Sequence, residues 1–276
     1  MKSILFFASV CISLTLTSCY QNSDEDLTAN DKFVTFNLNA TGVEQSSLTR
    51  AISEPGNLLI IDILGDNIST EIKSSLASFG LPLEYGTHEI YFVAATSIWS
   101  AYDTSELTVT WPSTHSGLSY VWAYHLTLEV DENTSVEEIN LPLVIANVKL
   151  SMLDKIPSNV VSLKFDAPDL CKGLDLKTMT GFLTDTPVNN SLDVSNYAGK
   201  TLSVNMFTFV PSTGYVGDIV ITAFDSNSEE IASQTLSGVP VQKGYITKYS
   251  GYFFSDGVTI PLTYSTDWTG TNNYSF

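Results

Sequence analysis

Arginine occurs once in this chain, at Arg50, and 12 basic residues stand against 30 acidic ones, a formal charge of −18. Such a surface repels nucleic acid, whose binders need basic patches, and no charge draws it to anionic lipid. Cysteine is scarce too, at Cys11, Cys19 and Cys171. With Cys11 in an apolar leader and Cys19 modified, as argued below, no intramolecular disulfide remains, so stability rests on burial. Cys171 has no neighbouring histidine or basic cluster to lower its pKa and reads as a small buried hydrophobe rather than a reactive thiol. The histidines His88, His115 and His125 are far apart and contain no HExxH or close pair, so no metal is expected. Asp225-Ser226-Asn227-Ser228-Glu229 starts like a calcium loop, but Glu230 stands where the sharp turn needs glycine and Leu236 where a bidentate glutamate belongs. It reads as a hairpin turn. No GxSxG elbow, P-loop or GxGxxG follows a strand, and the pairs Glu137-Glu138 and Glu229-Glu230 point to opposite faces. Neither an enzyme nor a cofactor is expected.

What is present begins with a leader. Lys2 supplies a basic start, Ile4 to Leu16 an apolar core too short to span a bilayer, and Thr17-Ser18 the small residues a signal peptidase accepts. Residues 1–18 therefore read as a signal peptide. Leu16-Thr17-Ser18-Cys19 resembles the lipobox of bacterial lipoproteins, which makes Cys19 the expected lipidation site; the alternative is a plain signal peptide that happens to carry a cysteine. Acyl chains at about 0.8 kcal/mol per buried methylene would anchor the chain without a transmembrane helix. Removing the leader takes away Lys2 and no acid, leaving 11 basic against 30 acidic residues, or −19. Residues 19–31, with Asp24-Glu25-Asp26, lack an apolar period and read as a flexible tether.

Beyond residue 31 the pattern is strand after strand. Phe33 to Asn39 alternates, with Val34, Phe36 and Leu38 on one face; Leu58 to Leu64 is an aliphatic run broken by Asp62. Further strands are expected at 88–95, 107–111, 119–130, 136–150, 160–165, 201–209, 217–224, 231–236, 245–254 and 258–264, with a loop-rich stretch before residue 196. In the segment 119–130, period two places Tyr120, Trp122, Tyr124, Leu126 and Leu128 on one face. Ile72, Leu76 and Phe79 have helical spacing, so a short helix is expected over 69–79. Short strands with Gly, Pro, Asn and Asp between them predict an all-β fold, two sandwiches at 32–145 and 146–276. Trp99, Tyr102 and Trp111 cluster near loops; they read as core residues at strand ends, or as a stacking platform for sugars.

The order of these features resembles the fimbrillin superfamily of the Bacteroidetes. It runs from the Cys19 lipobox and acidic tether through the Phe33–Asn39 strand, Thr49-Arg50-Ala51, Leu58 to Gly65 and Gly86 to Ala94. It continues with Leu141 to Leu150, Asp154-Lys155-Ile156-Pro157 and Val239 to Phe254, where many relatives carry Arg-Asn in place of Lys243-Gly244. The resemblance implies two transthyretin-like β-sandwich domains in a subunit of an adhesive fimbria, lipid-anchored and exposed at the outer membrane, leaning toward anchor or accessory members. It implies other fimbrial subunits as partners, with a host or bacterial surface ligand possible. In that family an Arg-specific protease cuts after the first strand, and Arg50-Ala51 matches the position; anchor members keep their N-terminus. Cutting would free Val34, Phe36 and Leu38 for exchange against a strand carrying Val258, Ile260, Leu262 and Tyr264, which share the period of two. The bland reading is that both segments are permanent strands. A surface glycan-binding lipoprotein of the same build is the competing function.

Overall fold

The computed structural model describes residues 31–41, 55–112, 118, 120–185 and 188–255. In chain order the first half contains β1 (Asp31–Ala40), β2 (Asn57–Leu64), β3 (Asn67–Lys73), β4 (Phe79–Glu84), β5 (Gly86–Ala95), β6 (Ala101–Asp103), β7 (Thr108–Thr110), β8 (Val121–Val130) and β9 (Val136–Leu141). The second half contains β10 (Ile145–Met152), β11 (Ser162–Ala167), β12 (Gly173–Asp175), β13 (Thr180–Phe182), β14 (Val188–Asp193), β15 (Leu202–Phe209), β16 (Tyr215–Val216), β17 (Ile219–Phe224), β18 (Glu230–Leu236), β19 (Val239–Pro240) and β20 (Ile246–Gly251).

One topology is used twice. The first half builds the sheets β4-β1-β9 and β3-β2-β5-β8, the second β15-β10-β20 and β14-β11-β17-β18. In each half the first strand lies at the centre of the three-stranded sheet, antiparallel to one neighbour and parallel to the other: β1 between β4 and β9, β10 between β15 and β20. The next strand, β2 or β11, is central in the four-stranded sheet and antiparallel on both sides. Alternation explains β1 and β10, each with one face in a core. In β1 Val34, Phe36 and Leu38 are buried; in β10 Ala146, Val148, Leu150 and Met152 are.

The aliphatic run of β2 has a different cause. Its face with Leu58 and Ile60 continues across β5 as Phe92, whose ring lies 5.6 Å from Phe36 of the opposing sheet. The other face, carrying Leu59 and Ile61, is also buried, in one cluster with Leu107, Val109, Leu174 and Leu176. Those residues belong to a sheet that joins the halves, β13-β12-β7-β6. Here β7 pairs with β12 through Val109↔Leu174, the Trp111 N–H donates to the Lys172 carbonyl (2.9 Å), and the Leu176 N–H donates to the Leu107 carbonyl (2.8 Å). The buried apolar side chains divide within β10, between Ile145 and Ala146, except that Cys171, Leu174, Leu176 and Phe209 join the first-half cluster.

Four local expectations are corrected. Residues 69–79 form no helix: every position of β3 pairs with β2 through the turn Gly65-Asp66, where Gly65 has φ 58, as the first central residue of a type II′ turn requires. A tight hairpin supplies local hydrogen bonds that a short, uncapped helical turn cannot match. Residues 136–150 are not one strand, because Pro142 interrupts the ladder and β9 and β10 enter different sheets. The stripe on β8 holds at Trp122 and Leu128, but Tyr124 is exposed, while Val121 and Ala123 of the opposite face are buried. The stretch expected to be loop-rich contains β12, β13 and β14. Asp225 to Glu229 is the β17–β18 turn, with the Asp225 carboxylate accepting from the Asn227 and Glu229 N–H groups at 2.8 Å each.

Candidate assembly site

The residues around β1 make a closed bed. Val34 and Phe36 are fully buried and Leu38 nearly so, and the Phe36 ring lies 5.8 Å from Phe79 on β4 as well as beside Phe92. On the other face Asn37 Nδ2 donates to Glu138 Oε1 of β9 (2.6 Å). Phe33 is half exposed but its ring covers Gly80, where an added Cβ would fall 2.0 Å from the ring. At the end of the strand the Thr41 N–H donates to the Leu141 carbonyl (2.8 Å), and the Thr41 carbonyl accepts from Trp122 Nε1 (3.0 Å). Removing β1 together with Thr41 would thus take three apolar side chains out of the core, uncover Phe79 and Phe92, leave β4 and β9 with open backbone groups, and orphan a buried indole donor. An unsatisfied buried donor alone costs about 1–3 kcal/mol. Only another strand with the same apolar period could restore these contacts.

Among the predicted positions, Val34, Phe36 and Leu38 lie in this bed. Cys19, Arg50, Ala51, Val258, Ile260, Leu262 and Tyr264 lie outside the described residues, as does His115. The other two histidines are not brought together. His88 is buried with Nδ1 at 2.8 Å from Asp62 Oδ1 and Nε2 at 2.8 Å from the Glu84 carbonyl. A carbonyl oxygen only accepts, so Nε2 is the donor to the Glu84 carbonyl. His125 stacks on Tyr91 (4.3 Å between ring centroids) and bonds Glu89. No cluster of three metal-ligating side chains occurs among the described residues. Of the three aromatics Trp111 is buried, 5.1 Å from Phe209, whereas Trp99, half-buried, and Tyr102, exposed, line one groove.

The junction buries two neighbouring side chains, Cys171 as its sequence context predicts and Lys172 unexpectedly. Cys171 is buried, and desolvation together with the Asp169 carboxylate pushes its thiol up to about 11. Lys172 beside it is buried as well, and desolvation pushes its ammonium down to about 8 from an ordinary 10.5. Between those values the unfolded chain binds more protons than the folded one, so Lys172 makes stability rise with pH from about 8 upward. Lys243, lowered by burial, acts in the same direction. Cys171 acts in the opposite direction, but only above its ordinary 9.0. Urea unfolding from pH 7 to 9 should therefore show stability rising by about 1 kcal/mol, and Lys172→Met should remove most of that rise while stabilising the protein at pH 7. A flat profile in the wild type, or an unchanged one in Lys172→Met, contradicts this.

No family model and no curated protein matches the chain. Solved structures do. A candidate adhesin of Bacteroides ovatus superimposes with a TM-score of 0.55 at 10% identity, over 75% of this chain and 82% of its own. A candidate cell adhesion protein of Bacteroides eggerthii gives 0.53 at 10% identity, over 86% and 95%. This chain has the fold of these adhesins. A candidate polysaccharide-binding protein of Bacteroides thetaiotaomicron has it too, with a TM-score of 0.50 at 9% identity over 80% and 92%. The all-β class read from the sequence is the class observed, and these structures are described as adhesion or binding proteins, not enzymes. At such identity the adhesin fold transfers no individual residue's role.

Proposed function

We propose that the chain is a subunit of an adhesive surface fibre, held to the outer membrane by lipid at Cys19 and joined to other subunits by strand exchange. The observation that carries this reading is the placement of β1. It is a central strand whose three apolar side chains fill the first core, yet it is connected to β2 only through residues 41–56, which include Arg50. Cutting there would leave β1 held by non-covalent contacts alone, in a bed shaped for a replacement strand. The adhesin fold supports the same reading. In the role of anchor or accessory subunit the N-terminus stays uncut and lipidated, and the bed keeps its own β1. The glycan-binding alternative has the fold of the polysaccharide-binding neighbour in its favour, but the platform it needs is weakened by the burial of Trp111.

Fibres sheared from cells expressing the protein provide the test. The expected result is that they contain this chain, starting at an acylated Cys19 in an anchor or at Ala51 in an exchanged subunit. Fibres free of the chain, or a start at neither position, would falsify the reading.

A further inference from the structure

The outer edge of β3 pairs with no strand among the described residues. Six of its seven residues are exposed, including Ile68 at 45% and Ile72 at 56%. Exposed apolar edge strands invite pairing, and proteins usually blunt them with proline, bulges or charged side chains. β3 has neither proline nor bulge, its two charged residues, Glu71 and Lys73, pair with each other, and its register with β2 is continuous from Leu58↔Lys73 to Leu64↔Asn67.

The hairpin fixes which backbone groups face outward. A two-residue turn closes on a hydrogen-bonded pair, here Leu64 and Asn67, so Asn67, Ser69, Glu71 and Lys73 spend their N–H and C=O groups on β2. Ile68, Thr70 and Ile72 direct theirs to the free edge. These three read the same in both directions, and Thr70 is the midpoint of the strand. We infer that two copies of this chain pair through β3, antiparallel and in register about Thr70. Thr70 then lies opposite its own copy and Ile68 opposite Ile72, and every outward N–H meets an outward carbonyl. Any other antiparallel register shortens the ladder, and a shift by one residue places outward groups against spent ones.

Charge and shape agree with a second copy as the occupant. On a chain of −18 this strand is neutral, since Lys73 Nζ lies 2.5 Å from Glu71 Oε1. Ile72 also lines a groove of about 330 Å³ with Ile98, Trp99 and Tyr102, and Ile98 is 67% exposed. Ile68 of the second copy, set against Ile72, arrives at the mouth of that groove. The pairing is isologous and closes on itself, so it yields dimers rather than filaments. The area is small, and the dimer is expected to be weak, with a Kd of about 10 µM to 1 mM.

The test uses the full chain after residue 18 with Cys19→Ser, so that no lipid drives association. Analytical ultracentrifugation should show a concentration-dependent monomer–dimer equilibrium. Thr70→Pro removes an N–H that points away from β2, and Ile72→Glu places charge on the apolar pair; each should weaken the dimer about tenfold or more while leaving the circular dichroism spectrum unchanged. With Cys171→Ser added, Thr70→Cys should crosslink between copies, since hydrogen-bonded antiparallel partners lie about 5.5 Å apart at Cα, within disulfide range. Tyr215→Cys, exposed in the second half, measures chance collision and should not crosslink comparably. A chain monomeric up to about 1 mM, a dimer indifferent to both edge variants, or equal crosslinking at the two cysteines overturns the inference. A monomer whose tryptophan fluorescence is quenched saturably by laminarihexaose makes the groove a sugar site and overturns it too.

Discussion

Replacing Phe36 with alanine is expected to cost about 3–5 kcal/mol of folding stability, since burial of this ring joins the two sheets of the first half. Phe36 is fully buried, with Phe79 on its own sheet and Phe92 on the opposing one within 6 Å. Neither neighbour can collapse into the space, because each is held by its own strand pairing: Phe79 opposite Phe36 at the end of the β1–β4 register, Phe92 between β2 and β8. The loss should therefore include a cavity contribution as well as lost burial. Phe36→Leu keeps most of the volume and should cost about 1–1.5 kcal/mol. Thr35→Ala, on the other face, should fall within about 0.5 kcal/mol. Urea unfolding of the three variants checks the order; a Phe36→Ala loss below about 1 kcal/mol would show that β1 does not carry the first core.

Deleting residues 258–276 should abolish incorporation into fibres if the tail is the strand that fills another subunit's bed. Val258, Ile260, Leu262 and Tyr264 repeat the spacing of Val34, Phe36 and Leu38, and Pro261, which lacks an N–H, suits an added or edge strand. A seven-residue strand reaches about 23 Å, enough to cover most of β1. In a Cys171→Ser background, Thr263→Cys should crosslink to a cysteine placed on a partner subunit's β9. Normal incorporation of the truncated chain together with the absence of any such crosslink rules the tail out as donor. This proposal is separable from pairing at β3, which uses a different sheet and leaves β1 in place.

Much of the fold was legible because it depends on local periodicity. Val34, Phe36 and Leu38, or Val148, Leu150 and Met152, announce a face by alternation alone, and the Asp225 turn is readable from its chemistry. Of the junction hairpins only β7 was expected, within the strand at 107–111; β6, β12 and β13 were missed although the two hairpins share a pattern. Asp103 and Asp175 each accept from two backbone N–H groups two and three residues on, and Leu107 and Met179 each take a positive φ before the returning strand. An aspartate followed four residues later by Leu-Thr or Met-Thr was the available signal, but its strands are only three residues long, too short to show a period.

The sequence by itself determined the acid excess, the scarcity of cysteine and histidine, the apolar run from Ile4 to Leu16 with Cys19 close behind it, and the alternation of most long strands. Those properties follow from composition or from neighbours a few residues apart. Tertiary structure alone decided that β1 is parallel to β9 about a hundred residues away, that Pro142 separates strands of different sheets, and that Ile72 stands on the end strand of its sheet among the described residues rather than on a helix. It also decided that Trp111 is buried beside Phe209 while Tyr102 faces solvent. Each of these depends on which distant strand supplies the opposing hydrogen bonds and the covering side chains, and a strand's own period of two specifies a face without naming its partner.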